Sequence, residues 1–451
     1  MAALLDAPVA PMLKAVPPDL CAGFGAKSVG LPVFFLTDLT LRHFARWGVL
    51  KLYEVAHHMG LPVPAVSELL MHLRSLALLE VPRRGALEGD VSYALTDAGQ
   101  RQAMLAFEKC QYVGAAPVTL SEYEAQVGEQ SHHLAPVRAA HLQQAMADLV
   151  IDAAMLPTLG SALNSGKAIY LYGDSGTGKT YLVQHLVKTL EGHIWVPHAV
   201  YVDGEVVRVY DPVVHLPVPL AAATERGLAR DLSADGRWVR TKRPVVIAGG
   251  ELTLDMLELE YHPHSNLHVA PPQMKANNGI FVVDDLGRQR LSARELMNRW
   301  LVPLDRHVDY LTLNTGTKFT VPFDARVVFS SNLAPHELAG PAFARRLGYK
   351  IHMMPLDAES YRVVVRQACT RTKVPQDPAG IDYLVNTLHL RDAQPFLPCL
   401  PFDIISKIAD RARYLEEAPR LTPELLEWAW QTYFAMSSST SPSEPPLNKG
   451  N

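Results

Sequence analysis

The sequence predicts an α/β protein: a three-layer core with a parallel sheet between helices, preceded by a helix-and-hairpin unit and followed by a helical one. Three observations carry this. From Ala168 to about Met354, short apolar strands alternate with helical stretches, the pattern of a parallel sheet joined by crossover helices. From Leu31, two stretches with apolar residues at helical spacing lead into a short hairpin pattern. From Asp357 to Phe434 the pattern is helical throughout, with Thr422-Pro423-Glu424 as the cap and first turn of the last helix.

With 451 residues, 48% of them hydrophobic, the chain has material for two or three buried cores. A formal charge of -4 excludes a global field drawing it to nucleic acid or an anionic membrane, so such binding would have to be local. Cys21, Cys110, Cys369 and Cys399 are far apart and form no zinc-ligand spacing, which suits reduced thiols. The first twenty residues carry Asp6, four prolines and no basic leader, unlike a secretory signal. No apolar run approaches the ~20 residues needed to span a bilayer, so no membrane insertion is expected and the cytoplasm is the expected location.

Taken in order, residues 1–30 are rich in Ala and Pro and are expected to be disordered. Residues 31–111 hold two helical stretches, separated by Leu61-Pro62-Val63-Pro64, then a strand, the turn PRRGALEGD, and a returning strand whose Thr96 or Asp97 can cap a further helix. Residues 112–144 are read as a linker, mixed and polar at first, with helical periodicity resuming before its end. The α/β core is expected over 145–355 and the helical unit over 356–435; the tail 436–451 is low in hydrophobic residues and expected to be disordered.

Chemistry enters at GDSGTGKT, Gly173 to Thr180, which matches G-x-x-x-x-G-K-[ST] in full. The apolar strand AIYLY precedes it and the amphipathic YLVQHLVKTL follows, the strand-loop-helix setting that a phosphate-binding loop needs. Gly173, Gly176 and Gly178 let the backbone curl so that the amides from Asp174, Ser175 and Thr177 to Tyr181 converge on phosphate at a helix N-terminus. Lys179 would face the β- and γ-phosphates of ATP, and the Thr180 hydroxyl would ligate Mg²⁺. IFVVDD, ending at Asp285, is an apolar strand closed by two carboxylates: Asp284 is the metal partner and Asp285 the residue that orients or deprotonates water. RVVFSSN, Arg326 to Asn332, ends another strand with Asn332, which in a parallel sheet can reach the γ-phosphate or the attacking water.

This order of elements resembles the AAA+ ATPases over about Ala145 to Phe434. KANNGIFVVDDLGRQRLSARELMNRWLVPLD, with Leu296 and Trp300 on its helix, is similar to the MoxR-like branch, and VDYLTLNTGTKFTVPFDARVVFSSN resembles its hairpin before sensor 1. The resemblance implies ATP hydrolysis with Mg²⁺ in a homo-oligomeric ring, a hexamer being one size it allows. It also implies an arginine finger acting across subunits at Arg345 or Arg346, and a helical lid over 356–435. Residues Leu31 to Cys110, with their Y-A-L-T-D-A-G ending, resemble a winged helix-turn-helix. Two departures stand out. Asp-Asp closes the acidic strand where most of the family has Asp-Glu, and D-D-L-G is also similar to helicase loaders and IstB-like ATPases. Pro401-Phe402-Asp403-Ile404 stands where a lid arginine is expected, so that role passes to no residue.

Between the phosphate loop and Asp284 lies a long insertion. It is read as a hairpin turning at Asp203-Gly204, a strand, a helix capped by Thr253, and a loop with His262, His264 and His268 whose histidines are solvated rather than metal-bound. Tyr261 is the candidate to touch a substrate in a ring pore. For the N-terminal unit, the second helix offers Arg74 and His72 against Glu68, and the wing Arg83 and Arg84 against Glu88 and Asp90, a faint footprint for DNA. A remodeller of a protein partner is therefore favoured over a DNA-associated ATPase, with a slow ATP-gated scaffold as a third reading.

Overall fold

The computed structural model describes residues 29–84, 91–131, 136–219, 235–338, 345 and 347–434. The tail expected over 436–451, most of the disordered start, Glu88, Asp90 and Arg346 lie outside these residues. Val29, at the edge of the expected disordered start, is buried.

The N-terminal unit runs α1 (Val33–Trp47), β1 (Leu50–Lys51), α2 (Leu52–Met59), α3 (Val63–Ser75), β2 (Leu79–Arg84), β3 (Val91–Leu95) and α4 (Asp97–Lys109). The three strands form an antiparallel sheet in the order β1-β3-β2. Gly60 ends α2 in the left-handed region at φ 65°, and Pro62 precedes α3, so the proline-rich break acts as a tight corner. Of the two candidate caps for α4, Thr96 does the work, its Oγ1 accepting from Gly99 N at 3.0 Å.

Residues 112–131 are not a linker. β4 (Val118–Thr119) and α5 (Leu120–Glu129) follow buried Tyr112 and Ala116, and Thr119 and Glu122 close a capping box on α5. The two-residue strand is too short to show a period, and Val118 pairs with Val200, a partner that local pattern cannot reveal.

Next come α6 (Ala139–Ala145), α7 (Met155–Asn164), β5 (Ile169–Tyr172) and α8 (Lys179–Leu186). The insertion contributes β6 (His193–Pro197), β7 (Ala199–Val202), β8 (Glu205–Arg208) and β9 (Trp238–Lys242) before β10 (Val245–Ala248), and β11 (Glu260–His262), β12 (Leu267–Val269) and α9 (Pro272–Lys275) after it. Then follow β13 (Ile280–Val283), α10 (Ala293–Arg306), β14 (Val308–Thr312), β15 (Lys318–Pro322), β16 (Arg326–Ser331) and β17 (Tyr349–His352).

The core sheet has the order β10-β13-β16-β5-β17, and each of its pairs is parallel. Both faces are covered, which is why these strands read as unbroken apolar runs. On one face Trp300 of α10 packs edge-on to Phe281 at 5.0 Å, with Leu296 and Phe329 beside it. On the other, Leu182 and Leu186 of α8 and Leu159 and Leu163 of α7 cover Ile169, Leu171 and Val328.

The insertion strands join β4 in a second sheet, β11-β12-β8-β7-β4. The β7–β8 hairpin turns at Asp203 and Gly204, both at positive φ, as the residue pair requires. Two expectations fail here. The helix after the glycine pair is a single 3₁₀ turn, Asp255–Leu257, with no side-chain cap from Thr253, because β11 begins only a few residues later. The histidine loop is the β11–β12 hairpin, in which His268 is buried and its Nε2 accepts from Asn314 N at 3.2 Å. Tyr261 lies in β11, half-buried, its hydroxyl donating to Asn266 Oδ1 at 2.7 Å and its ring tilted on His268, so it is bound within the hairpin instead of projecting from a loop.

The N-terminal unit is welded to this second sheet. Ala199, Val206 and Leu267 belong to the same buried cluster as Leu36, Leu70 and Val55. Arg237, buried, bonds Asp235 at 2.7 Å and Glu122 at 2.9 Å, and Ala116 N donates to Met59 O at 2.7 Å. Gly60 and Gly236 cross backbone to backbone so closely that a Cβ on Gly60 would lie 2.5 Å from the Gly236 carbonyl carbon. Helices α11 (Ala358–Thr372), α12 (Pro378–Tyr383), α13 (Cys399–Tyr414) and α14 (Pro423–Phe434) form the C-terminal unit around Tyr361, Ile404 and Trp430, and α14 begins where the Thr422-Pro423-Glu424 pattern predicts.

Two outcomes follow from this packing. Gly60→Ala adds a side chain at positive φ against backbone and should cost roughly 2 kcal/mol or more, read as a lowered midpoint in chemical denaturation. Burial holds the His43 imidazole down at about 4 against an ordinary 6.5, while its Nε2 lies 3.0 Å from Gly114 O. The unfolded chain therefore takes up the proton first as pH falls. Stability that is full above 6.5 should drop by roughly 3 kcal/mol on the way to 4, and His43→Gln should flatten that slope.

Candidate functional site

The parallel register brings three strand ends to one edge. Tyr172 of β5 pairs with Ser331 of β16, and Val283 of β13 pairs with Phe329, so Gly173, Asn332 and Asp284 all emerge on the same side of the sheet. The loop after β5 then curls as glycine alone allows: Gly173, Gly176 and Gly178 have φ of 144°, 86° and 90°. A Cβ on Gly173 would collide with Met353 O, and one on Gly176 with Cys399 Sγ. Gly178 is the N-cap of α8, so the loop runs straight into a helix N-terminus.

Lys179 is buried and its Nζ donates to Gly173 O and Asp174 O, each at 2.8 Å, closing the loop on itself. Burial pulls this ammonium below the usual lysine range, and the carboxylates of Asp285 and Asp284 oppose the shift. Thr180 Oγ1 donates to Asp284 Oδ2 at 2.9 Å. A hydroxyl and a carboxylate oxygen side by side fit Mg²⁺, a hard cation that takes one or two protein oxygens and completes its shell with phosphate and water. Among the described residues no group of three or more His, Cys, Asp or Glu is placed to hold a metal ion.

The acidic turn is fastened to β16. Leu286 N donates to Ser330 O at 2.7 Å, Ser331 Oγ to Leu286 O at 2.7 Å, and Gln289 Nε2 to Asp284 O at 2.7 Å. Asp285 itself sits at φ 53°, an uncommon conformation for a non-glycine residue, which turns it out of the strand. Asp285 and Asn332 line a cavity of about 1020 Å³ together with Ser175 to Tyr181.

Asp174 is exposed and does not line that cavity, and Tyr181 stands at its rim, 40% exposed, with its ring edge on His185. Arg345 is exposed and does not line it either.

The far wall was missed from sequence. It comes from residues 148–154, from Met353 and Met354 after β17, and from the C-terminal unit, where Ser360, Val364, Gln367 and Arg371 share one face of α11. Their spacing was available as a signal, but an amphipathic helix with polar residues on its outer face says nothing of a ligand. Phe402 also lines this wall, one turn beyond Cys399.

A family model described as a domain of unknown function (DUF8689) matches residues 357–432, which is the C-terminal unit. No curated protein matches the chain. Among solved structures, NtrX from Brucella abortus is similar at 14% identity and a TM-score of 0.37, covering 63% of this chain and 58% of its own. A RuvB mutant from Thermotoga maritima is similar at 9% identity and a TM-score of 0.36, covering 66% and 70%. The RuvB Holliday junction branch migration motor of the same organism is similar at 11% and 0.34, covering 70% and 72%. This chain thus spans less than two thirds of the NtrX chain. Likenesses this distant leave the site to be judged on its own geometry.

If that geometry holds nucleotide, Lys179→Ala should abolish ATP binding, since the loop loses both its cation and the two bonds that close it. Equilibrium titration with ATP reads this directly, and unchanged affinity would remove Lys179 from the site.

Proposed function

We propose that this chain is a Mg²⁺-dependent ATPase of the AAA+ type, working as a homo-oligomeric ring that remodels a protein partner. One observation carries the reading: the Thr180 hydroxyl meets Asp284 while Lys179 and Asp285 face one cavity at the same sheet edge. The strand-loop-helix phosphate cradle and the apolar strands behind both acids support it.

In this reading the amides of residues 173–181 and the Lys179 ammonium bind the triphosphate and fix its γ-phosphorus at the mouth of the loop. Mg²⁺, held by Thr180 and Asp284, would neutralise phosphate charge. Asp285 orients a water for in-line attack and takes its proton as the new P–O bond forms and the bond to the bridging oxygen breaks. Asn332 positions that water from the neighbouring strand. Arg345 or Arg346 of a neighbouring subunit would neutralise charge building on the γ-phosphoryl group, which makes turnover depend on assembly.

A protein partner fits the N-terminal unit better than DNA does. On α3, the helix that would enter a groove, Met71 is 60% exposed and Leu76 at its C-cap 52%, beside Arg74 and His72. A duplex-reading face would carry more cations there.

Asp285→Asn should keep ATP affinity and lower turnover by about 100-fold or more, the usual weight of a positioned base. Steady-state phosphate release measured over a range of protein concentrations, with and without duplex DNA, separates the readings. Activity that rises with concentration supports a ring, and stimulation by DNA would move the assignment to a DNA-associated ATPase. Negligible turnover with intact binding would make it an ATP-gated scaffold.

A further inference from the structure

A second cavity, of about 510 Å³, opens where the segment after α4 meets the insertion's sheet, and it shares no lining residue with the 1020 Å³ cavity. Its size is that of a small-molecule pocket. Side chains alternate along β8, so Arg208 shares a face with Val206 and with Ala199 opposite it, the face that packs against the N-terminal helices. Arg208 stands one step past the rim of that apolar cluster and lines the cavity. It is exposed, and among the described residues its guanidinium has no carboxylate or hydrogen-bond partner. Neighbouring cations are paired: Arg237 with Asp235 and Glu122, and Lys275 with Asp211 at 2.8 Å.

Gln111, His198 and Tyr210 line the same cavity, and their side chains make no hydrogen bond among the described residues. Each is fixed from behind. The His198 carbonyl accepts from Val209 N at 3.1 Å and from Tyr210 N at 3.3 Å, which sets the two rings edge to face at 5.4 Å. His215 stacks on the Tyr210 ring at 5.8 Å and is itself held by Asp211 N and Lys275 O at 3.0 and 2.9 Å. Gln111 N donates to Ser265 O at 2.9 Å, and its segment is tied to α1 by Arg42 Nη1 on Cys110 O at 2.6 Å and by His43 Nε2, 3.0 Å from Gly114 O. Burial holds the His198 imidazole below its ordinary range, so it enters the wall neutral. The acid on the wall, Asp211, is engaged by Lys275 Nζ at 2.8 Å and Val213 N at 3.0 Å.

We propose that this cavity binds a small organic anion, a carboxylate or a phosphate ester, whose charged oxygens meet Arg208 and whose body packs against Tyr112 and Leu267. A guanidinium presents a planar fork of donors that fits either oxyanion. Gln111, His198 and Tyr210 each keep a donor for the remaining oxygens. A wall with one unpaired cation and its carboxylate already engaged favours an anion over a cation. The cavity is built jointly by the segment tied to α1 and by the insertion's sheet, so its occupant bridges those two units. Nothing in this depends on the ATP-site reading.

Calorimetric titration of the full chain with phenyl phosphate and with benzoate tests it, the two probes separating a phosphate ligand from a carboxylate. At least one should bind with a dissociation constant of about 1 mM or tighter, the range of a ligand this small making one charged contact. Arg208→Ala should weaken that probe about tenfold, as expected for loss of a charged hydrogen bond. Tyr210→Phe, which keeps the ring and removes only the hydroxyl, should weaken it about threefold. Arg208 is exposed, so Arg208→Ala should melt with the wild type. Phenyl phosphate can also enter the phosphate loop, and Lys179→Ala is the control: it should leave the affinity unchanged. Binding of both probes to the wild type weaker than that threshold overturns the proposal, as does an affinity unchanged in Arg208→Ala. Loss of binding in Lys179→Ala with full binding in Arg208→Ala places the probe in the phosphate loop and overturns it as well.

Discussion

The arrangement depends on the hydrogen-bond register of three parallel strands. With Tyr172 opposite Ser331 and Val283 opposite Phe329, the chain leaves β5, β16 and β13 at one edge, and a shift of one residue in either pair would turn Asp284 or Asn332 to the opposite face. That register is held by apolar layers on both faces, Trp300 and Leu296 on one and Leu182 and Leu186 on the other. The bonds from Leu286 and Ser331 then lock the acidic turn against the neighbouring strand. Site geometry here is a by-product of core packing.

Local order and local strain divide the work at the sheet edge. The phosphate loop reaches its shape through three glycines at positive φ, at little steric cost. Asp285 reaches its own through a left-handed backbone that a β-carbon resists, and the turn around it is tied by three side-chain or backbone bonds. A residue kept in such a conformation by its surroundings is held for its direction, and here that direction is the cavity that Lys179 also faces.

Much of this was legible in the sequence where the signal is contiguous. GDSGTGKT, IFVVDD and RVVFSSN each carry strand, turn and chemistry within a few residues, and the Asp203-Gly204 hairpin and the Thr422-Pro423 helix start are equally local. What escaped was long-range. Val118 and Thr119 look like linker because their partners, Val200 and Tyr201, lie in an insertion with its own sheet. The stretch after Gly249 and Gly250 has helical spacing but too little chain before β11 to use it. The α11 wall, with Gln367 and Arg371, is encoded as an ordinary amphipathic helix, and only the placement of the C-terminal unit against Gly176 turns it into part of a cavity.

The shared cluster of Ala199, Val206 and Leu267 with the N-terminal helices, closed by Arg237 and the Gly60–Gly236 crossing, has a mechanical consequence. Helices α1 to α3 and the insertion sheet are joined by one buried apolar cluster, so neither can lift away without exposing it to water. The β14–β15 hairpin shares a second buried cluster with the insertion strands, Leu311 and Phe319 lying with Val200 and Val207, so a hinge at that point would open this apolar cluster as well.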